Sequence, residues 1–372
     1  MLATGNDVVY IIENFAPAQA ALGGDSTGLQ WGDLNRETAY VLLALDFNEE
    51  VLEEALLRGA SFIFTHHPYL FQPLSKLDLR DEQVALMVRA LKEGISLYSA
   101  HTNLDAAPWG VSHALGELLG LKDMEVLVPT GSDDLEKLVV FIPQGYEEKV
   151  REAICSAGAG WLGNYSCCTF QQEGTGTFMP GEGTTPFIGS QGSLQKVREY
   201  RLETVFPRSR RSAVLQAMEE AHPYEEVAFD LYPLHNDPFF WGLGKVGVLK
   251  EKITFGELCQ RCRKLLASRH LKALGDLQLP VEKIAVLGGS GAPYMEYALE
   301  KGAQAYITGD IKFHDAQKAE RKNLALIDAG HESTEWPILP ALADYLRGKL
   351  GEQGFTTGVL LSQQQLLPWR VL

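Results

Sequence analysis

Residues 61–68 have the sequence SFIFTHHP, in which a short apolar run is followed at once by two histidines and a proline. Residues 98–105 (YSAHTNLD) and 326–331 (LIDAGH) show the same order, an apolar run and then histidine or carboxylate side chains. Short apolar runs of this kind are typical of buried strands. Because ligands of open α/β sheets bind just beyond the carboxyl ends of the strands, the three segments predict one shared site at a sheet edge.

Helical and strand-like patterns alternate in the N-terminal third and again from residue 254 onward, which is typical of an α/β fold with mostly parallel sheets and covering helices. The region 129–234 differs, because it combines a glycine-rich stretch, 158–192, with the order strand, helix, strands, helix, strand. That order predicts an inserted α+β domain of the ferredoxin-like class. We therefore expect residues 1–128 and 235–372 to form one discontinuous α/β domain, interrupted by the insertion at 129–234.

The chain carries 33 basic and 48 acidic side chains, a formal net charge of −15. An acidic surface repels phosphate backbones and anionic lipid heads, so neither broad nucleic-acid binding nor membrane binding is expected. Residues 1–10 lack a basic segment followed by an apolar one, which predicts no secretory signal and a cytoplasmic location. The five cysteines, with a single CxxC pair at Cys259 and Cys262, predict neither a disulfide framework nor a four-sulfur zinc site.

Histidine and carboxylate side chains give the three segments the chemistry of a metal site. The six candidate ligands are His66, His67, His101, Asp105, His331 and Glu335. Two pairs, His101 with Asp105 and His331 with Glu335, are four residues apart, which places both members on one side of a helical turn. Six such ligands exceed the needs of one tetrahedral ion, so two divalent cations of zinc, iron or manganese are the simplest interpretation. The alternative for any single histidine is a hydrogen-bonded structural residue.

Two further segments carry weaker signals. His314 follows another strand-like run and is a candidate general acid or base, the alternative being a polar residue at a helix start. The loop 288–291 (GGSG) lies between a strand and a helix, so Gly289, Ser290 and Gly291 are candidates for binding an anionic substrate group through backbone N–H groups. The alternative is a tight turn, and the loop lacks the lysine of a Walker motif.

Together these motifs resemble the Nif-three-like dinuclear metal-centre proteins, which are often labelled type-two GTP cyclohydrolase I. The resemblance runs from about residue 16 to residue 335 and rests on segments 65–71, 100–105, 288–291, 308–310 and 328–335. It implies a toroidal homohexamer of α/β subunits with two metal ions per chain. It implies that His66, His67, Asp105, His331 and Glu335 are ligands, with His101 in the same cluster, and that Asp105 and Glu335 are the best candidates to bridge the ions.

Longer members of this family carry an insertion between the two halves of the chain, and this sequence resembles that long form. Segments 164–189 and 222–226 resemble trimeric nitrogen-regulatory and copper-tolerance signalling domains, which implies that the insertions could cap a hexameric ring. The family usually has Trp-Asp-Asn before Gly-Leu-Gln, whereas Asp25-Ser26-Thr27 stands at that place in this chain. This departure affects the expected pocket shape.

Two functions remain open on the sequence alone. The first is a two-metal hydrolase acting on a small molecule, with ring opening of GTP as the reaction that the family label suggests. The second is a non-enzymatic metal-handling or regulatory scaffold. An enzyme site keeps an open coordination position, whereas a purely structural site is closed, and this property distinguishes the two.

Overall fold

The computed structural model describes residues 1–162, 165–236, 239–268 and 270–364. Its internal contacts divide the chain into two units. Unit 1 consists of residues 1–131 and 241–372, and unit 2 consists of residues 132–240.

The first segment of unit 1 contains five helices and seven strands, the last of which ends two residues inside unit 2. The helices are α1 (Gly5–Phe15), α2 (Glu49–Arg58), α3 (Glu82–Lys92), α4 (Thr102–Ala106) and α5 (Val111–Leu119). The strands are β1 (Ala3–Thr4), β2 (Gly28–Trp31), β3 (Glu37–Thr38), β4 (Tyr40–Ala44), β5 (Ala60–Thr65), β6 (Ser96–Ser99) and β7 (Leu121–Asp133).

The rest of the chain continues this numbering. Unit 2 contains β8 (Leu135–Pro143), α6 (Glu147–Ser156), β9 (Thr169–Phe178), β10 (Gln195–Pro207), α7 (Arg211–Ala221) and β11 (Phe229–Pro233). The last helices are α8 (Phe255–Leu265), α9 (Met295–Glu300), α10 (Phe313–Arg321), α11 (His331–Glu335) and α12 (Ile338–Glu352). The last strands are β12 (Phe239–Thr254), β13 (Lys272–Leu274), β14 (Pro280–Val286), β15 (Ala305–Thr308), β16 (Ala325–Asp328) and β17 (Gly358–Leu361).

The first sheet of unit 1 has the strand order β17-β4-β5-β6-β2. Its first four strands are parallel, and β2 is antiparallel to β6. Side chains alternate between the two faces: Val41 and Leu43 pack with helices α1 and α12, whereas Leu42 and Ile63 pack with α2 and α3. This period-two burial makes a three-layer arrangement in which the carboxyl ends of β4, β5 and β6 share one edge.

The second sheet of unit 1 has the order β13-β16-β15-β14-β12-β7. Strands β14, β15 and β16 are parallel, but β13 and β12 are antiparallel to their neighbours, so this sheet is mixed and not mostly parallel. The sequence pattern gave no strand over β12 because glycines interrupt its apolar run. At Gly242 a Cβ atom would overlap the carbonyl oxygen of Val128, so this glycine permits close backbone approach and does not mark a turn.

Helix α5 joins the cores of the two sheets. Val111 and Ala114 pack in the core of the first sheet, and Leu115 and Leu119 pack in the core of the second. A nine-residue helix with apolar residues on two faces is buried on both sides, which is why α5 holds the two sheets together within unit 1.

Unit 2 has a four-stranded antiparallel sheet in the order β11-β8-β10-β9. The chain order is β8-α6-β9-β10-α7-β11. Leu138, Val140 and Ile142 of β8 form one core with Ile154 of α6 and Met218 of α7. Among the residues that the structure describes, no helix in either unit is both long and apolar enough to cross a membrane.

The core of the first sheet generates a stability prediction. Phe62 is 1% exposed, whereas Phe313 is 72% exposed. We expect Phe62→Ala to lower the free energy of unfolding by about 3–5 kcal/mol, because it leaves a cavity between β5 and its helices. Phe313→Ala should change it by less than about 0.5 kcal/mol. Chemical denaturation followed by circular dichroism measures both, and equal effects would contradict the described core.

Candidate metal centre

The two sheets of unit 1 supply the candidate ligands from equivalent places. In the first sheet, His66 and His67 follow β5, and His101 follows β6. In the second sheet, His331 follows β16 and opens the short helix α11, which ends at Glu335. Each ligand therefore lies beyond the carboxyl end of a parallel strand, as the sequence predicts for a site at a sheet edge.

Three of the six predicted ligands form the tightest group. Ligand atoms of His66, His67 and Glu335 lie within 4.8 Å of one another, a spacing that could hold a metal ion. Nε2 of His67 is 3.1 Å from Oε2 of Glu335. Nε2 of His66 is 3.7 Å from Oε1 of the same carboxylate. The distance from His66 exceeds normal hydrogen-bond length, whereas the distance from His67 lies within it, and both are compatible with two ligand atoms that share one ion.

The other three predicted ligands surround that group. Nε2 of His331 is 3.0 Å from Oε1 of Glu335, and Oδ1 of Asp105 is 3.6 Å from Nε2 of His66. The His101 ring lies 5.4 Å from the ring of His66, measured between centroids. The structure thus brings all six predicted side chains to one place.

Each of the four histidines bonds an oxygen atom through Nδ1. The partners are the carbonyl of Ala100 for His66 (2.9 Å), Asp46 for His67 (2.9 Å), Asp25 for His101 (2.8 Å) and Asp310 for His331 (2.7 Å). Carbonyl and carboxylate oxygens only accept hydrogen bonds, so each Nδ1 carries the proton. Each Nε2 is then available as a metal ligand, and this arrangement of oxygen, imidazole and metal is the usual one in metal sites.

Two buried atoms of the cluster lack the partners that buried polar groups normally have. Among the described residues, Nε2 of His66 and Oε2 of Glu335 are buried and accept or donate no hydrogen bond. The His66 side chain is fully buried and that of Glu335 is 4% exposed. An orphaned imidazole nitrogen beside an orphaned carboxylate oxygen fits a cation, because a cation satisfies both lone pairs at once.

The pKa values reflect the crowding of these groups. Burial would lower the pKa of His67, but Asp46 and Glu335 outweigh it and raise that pKa to about 10. The close Glu335 carboxylate, helped by Asp310, raises the pKa of His331 to about 9. Burial would raise the pKa of Glu335, yet the neighbouring histidines hold it well below its usual value. In the metal-free protein, the positive charge of the protonated imidazoles therefore balances the negative charge of Glu335.

Asp105 behaves differently from Glu335. Burial raises the pKa of Asp105, and the charge of Glu335 adds to that effect, while His66 opposes it. Two carboxylates so close together resist simultaneous ionisation in the absence of a cation.

A cavity of about 460 Å3 opens beside the cluster. It is lined by His67, His101, Asp105, His331 and Glu335, with Phe71, Ser290 and Tyr294 among the other wall residues. A cavity of this size admits a small molecule. Its described lining contains no Lys or Arg.

The GGSG loop lies against the cluster. A Cβ atom at Gly289, whose φ is +69°, would overlap Oε1 of Glu335, so glycine is needed there for the carboxylate to fit. The N–H groups of Gly289 and Gly291 donate to the hydroxyls of Thr334 and Thr308. Those two N–H groups are therefore occupied, and the predicted anion-binding role of the loop now depends on Ser290, which lines the cavity.

Three carboxylates with clear roles escaped the sequence analysis. Asp46 follows β4, Asp310 follows β15, and Asp25 lies in the loop before β2; each binds a candidate ligand histidine. The pKa of Asp25 is lowered, since hydrogen bonds from His101 and Thr102 outweigh its burial. Two features of the sequence could have pointed to these carboxylates. Asp46 and Asp310 lie at strand ends, and the Asp25-Ser26-Thr27 sequence is unusual for the family.

His314 is not brought to this cavity. It is exposed on α10, where Nδ1 lies 3.2 Å from Oε1 of Gln317. It is not among the described residues that line the cavity. An acid-base role for His314 stays a prediction without support from this arrangement.

Comparison with known proteins gives the wider context of this cluster. Residues 3–368 match the family described as Duf34/NIF3 (NGG1p interacting factor 3). The chain belongs to the NIF3 family. It is 41% identical over 368 residues to two proteins named GTP cyclohydrolase 1 type 2 homolog, from Halalkalibacterium halodurans and Bacillus subtilis. The match covers 99% of this chain in both comparisons, and 99% and 98% of the respective relatives.

Solved structures of NIF3-like proteins have the same fold. A Bacillus cereus protein related to NIF3 is 40% identical and superposes with a TM-score of 0.85, covering 100% of both chains. A Staphylococcus aureus protein is 26% identical with a TM-score of 0.72, covering 100% of this chain and 99% of the other. The mixed α/β fold of this NIF3 chain is thereby confirmed, as is the family resemblance.

The carboxylates behind the histidines generate a prediction about metal affinity. We expect Asp46→Ala to weaken metal binding about 10–100-fold, because the His67 ring loses its orienting acceptor and becomes less basic. Asp344→Ala, a change to an exposed aspartate paired with Arg347, should leave affinity unchanged. Titration of metal-free protein against a chelating dye measures both. Equal affinity of the two variants would refute the orienting role.

The raised histidine pKa values predict proton release on metal binding. With pKa values of about 10 and 9, His67 and His331 are protonated in metal-free protein at pH 7. Metal binding needs both nitrogens free, so at least these two protons leave and affinity rises as pH increases from 6 to 9. Calorimetric titration in buffers of different ionisation enthalpy counts the protons. Heats independent of the buffer would contradict this charge assignment.

Proposed function

We propose that this NIF3-family protein is a hydrolase that uses two divalent cations. The ligands would be His66, His67, His101, Asp105, His331 and Glu335. The observation that carries the proposal is the shared geometry of four histidines. Each bonds an oxygen acceptor through Nδ1, and Nε2 is left for the cluster. Structural histidines at the ends of three different strands have no common reason to adopt that arrangement.

The number of ligands supports two ions over one. The tight group of His66, His67 and Glu335 offers three ligand atoms. His331 contacts Oε1 of the same carboxylate, the oxygen that His67 does not contact, and Asp105 lies 3.6 Å from His66. Because Oε1 and Oε2 of Glu335 face different histidines, this carboxylate is placed to be shared. Ligands that are imidazoles and carboxylates suit zinc, iron or manganese.

The cations and the side chains of the site would have different roles in the reaction. Two bound cations supply an activated water near neutral pH and neutralise charge that develops on the substrate. Asp46 and Asp310 hold the His67 and His331 rings in place. Asp105 borders the cavity and would bind the cations from that side, as an ionised carboxylate.

The open cavity favours an enzyme over a scaffold. His331 and Asp105 line a space of about 460 Å3, whereas a purely structural metal site is closed by its ligands. The names of relatives at 41% identity make GTP the first substrate to test, with hydrolytic opening of its purine ring. Since the described lining has no Lys or Arg, the cations would have to neutralise any phosphate group.

We propose further that unit 2 is an inserted domain of the ferredoxin-like class and that the protein assembles as a cytoplasmic homohexamer. The chain order β8-α6-β9-β10-α7-β11 and the sheet order β11-β8-β10-β9 support the domain class. The homohexamer is the assembly that the resemblance to Nif-three-like proteins implies.

The proposal predicts metal content and activity together. Protein purified without chelators should hold about two divalent ions per chain and turn over GTP or a related small substrate. Glu335→Gln should lose most of the metal and at least about 100-fold of the activity, because the shared carboxylate is gone. Glu332→Gln, the matched change on the same helix, should keep both. Elemental analysis measures the metal content of each variant. Release of formate from GTP measures hydrolysis of the purine ring.

Two outcomes would overturn parts of the proposal. Metal content that does not depend on Glu335 would remove the metal centre itself. Two bound ions without hydrolysis of GTP, phosphoesters or amides would overturn the hydrolase and favour the metal-handling scaffold.

A further inference from the structure

A second cavity, of about 450 Å3, lies entirely within unit 2. Its walls contain four aromatic side chains: Phe141, Phe178, Phe187 and Tyr224. The Tyr224 ring lies between two of them, with centroid distances of 5.9 Å to Phe178 and 6.2 Å to Phe187. These rings are inclined to one another by about 50–60°, so they enclose space and do not stack flat.

The aromatic walls are held by specific contacts. His222 packs on Tyr224 with ring centroids 5.0 Å apart. Its Nδ1 accepts the backbone N–H of Tyr224 (3.1 Å), and its Nε2 donates to the carbonyl of Phe141 (3.1 Å). Both nitrogens are thus used to fix the two aromatic residues. Tyr146 packs edge-on against Phe187, with ring centroids 5.6 Å apart.

A buried carboxylate forms part of the wall. Glu199 is only 8% exposed, although it lies on β10 with no Lys or Arg within ion-pair distance among the described residues. Its Oε1 accepts a hydrogen bond from the Tyr224 hydroxyl (3.1 Å). A Cβ atom on Gly176 would overlap its Oε2, so a glycine on the neighbouring strand makes room for the carboxylate. A buried charge without a counter-charge is costly, and such groups normally have a partner.

The remaining charged groups of the lining are also acidic. Glu225 accepts the backbone N–H of Thr185 (2.9 and 3.2 Å), and Glu226 makes no ion pair with a described residue. No Lys, Arg or His is among the described lining residues. The three carboxylates do not form a metal-binding group, because among the described residues only the cluster in unit 1 meets that spacing.

We propose that this cavity binds a small organic cation, an alkylammonium or a quaternary ammonium group. Glu199 would be the ion-pair partner, and the faces of Phe178, Phe187 and Tyr224 would contact the alkyl groups. Ammonium groups bind aromatic faces through the ring quadrupole, and the attraction grows when the site is desolvated. A carboxylate at an aromatic wall selects such a cation over a hydrated metal ion or a neutral molecule.

The test uses the full-length protein and three probes. These are choline, n-butylammonium and 3,3-dimethylbutan-1-ol, the uncharged analogue of choline. Saturation-transfer NMR and calorimetric titration should show that choline or n-butylammonium binds at least about ten-fold more tightly than the alcohol, because only a cation pairs with Glu199. An alcohol that binds as tightly as both cations would overturn the proposal.

Substitutions inside and outside the cavity test whether the cations bind there. Glu199→Gln keeps the shape and the acceptor for Tyr224, and we expect it to weaken cation binding about ten-fold or more. The same change at Glu173, an exposed partner of Arg198 outside the cavity, should have no effect. Phe187→Leu should weaken the cation more than the alcohol. No binding of either cation up to about 10 mM, or equal loss in the Glu173 and Glu199 variants, would refute the site.

Discussion

The Nε2 atom of His66 is buried and has no hydrogen-bond partner among the described residues, and the candidate metal centre of unit 1 is arranged around that atom. Leaving such a group unsatisfied costs about 1–3 kcal/mol, and a cation beside it would remove that cost. The orphaned oxygen of Glu335 lies 3.1 Å from His67 in the same cluster. Two sheets whose parallel strands end at this cluster can supply ligands from both sides, which neither sheet could do alone.

The sequence could point to the candidate ligands because their chemistry was concentrated at strand ends. His66, His67 and His101 could be assigned to a common edge from the parallel-sheet rule, and the structure places all three together. The carboxylates behind them could not be assigned in this way. Asp46 and Asp25 have no spacing relation to the histidines, and isolated aspartates in loops are common. Only the direction of each imidazole Nδ1 reveals their role.

The fold was predictable where apolar runs were continuous and failed where glycines broke them. Strands β5 and β16 were evident from their apolar sequences, and the α/β class followed from their alternation with helices, whereas the antiparallel strands of the second sheet were not expected. Strand β12 was missed because glycine in a sequence usually signals a turn. In the structure Gly242 instead lets two backbones approach closely, a contact between residues far apart in the chain that local patterns do not contain.

The division of the site between two chain segments has a consequence for biosynthesis. His101 and His331 are separated by 230 residues, with all of unit 2 between them. At about 5–20 residues per second, a ribosome needs roughly 10–50 s to pass from one to the other. Until the end of that interval the nascent chain carries at most four of the six candidate ligands, and the strands of the second core of helix α5 are still being made. The full set of candidate ligands can therefore come together only near the end of translation, after the second sheet has been made.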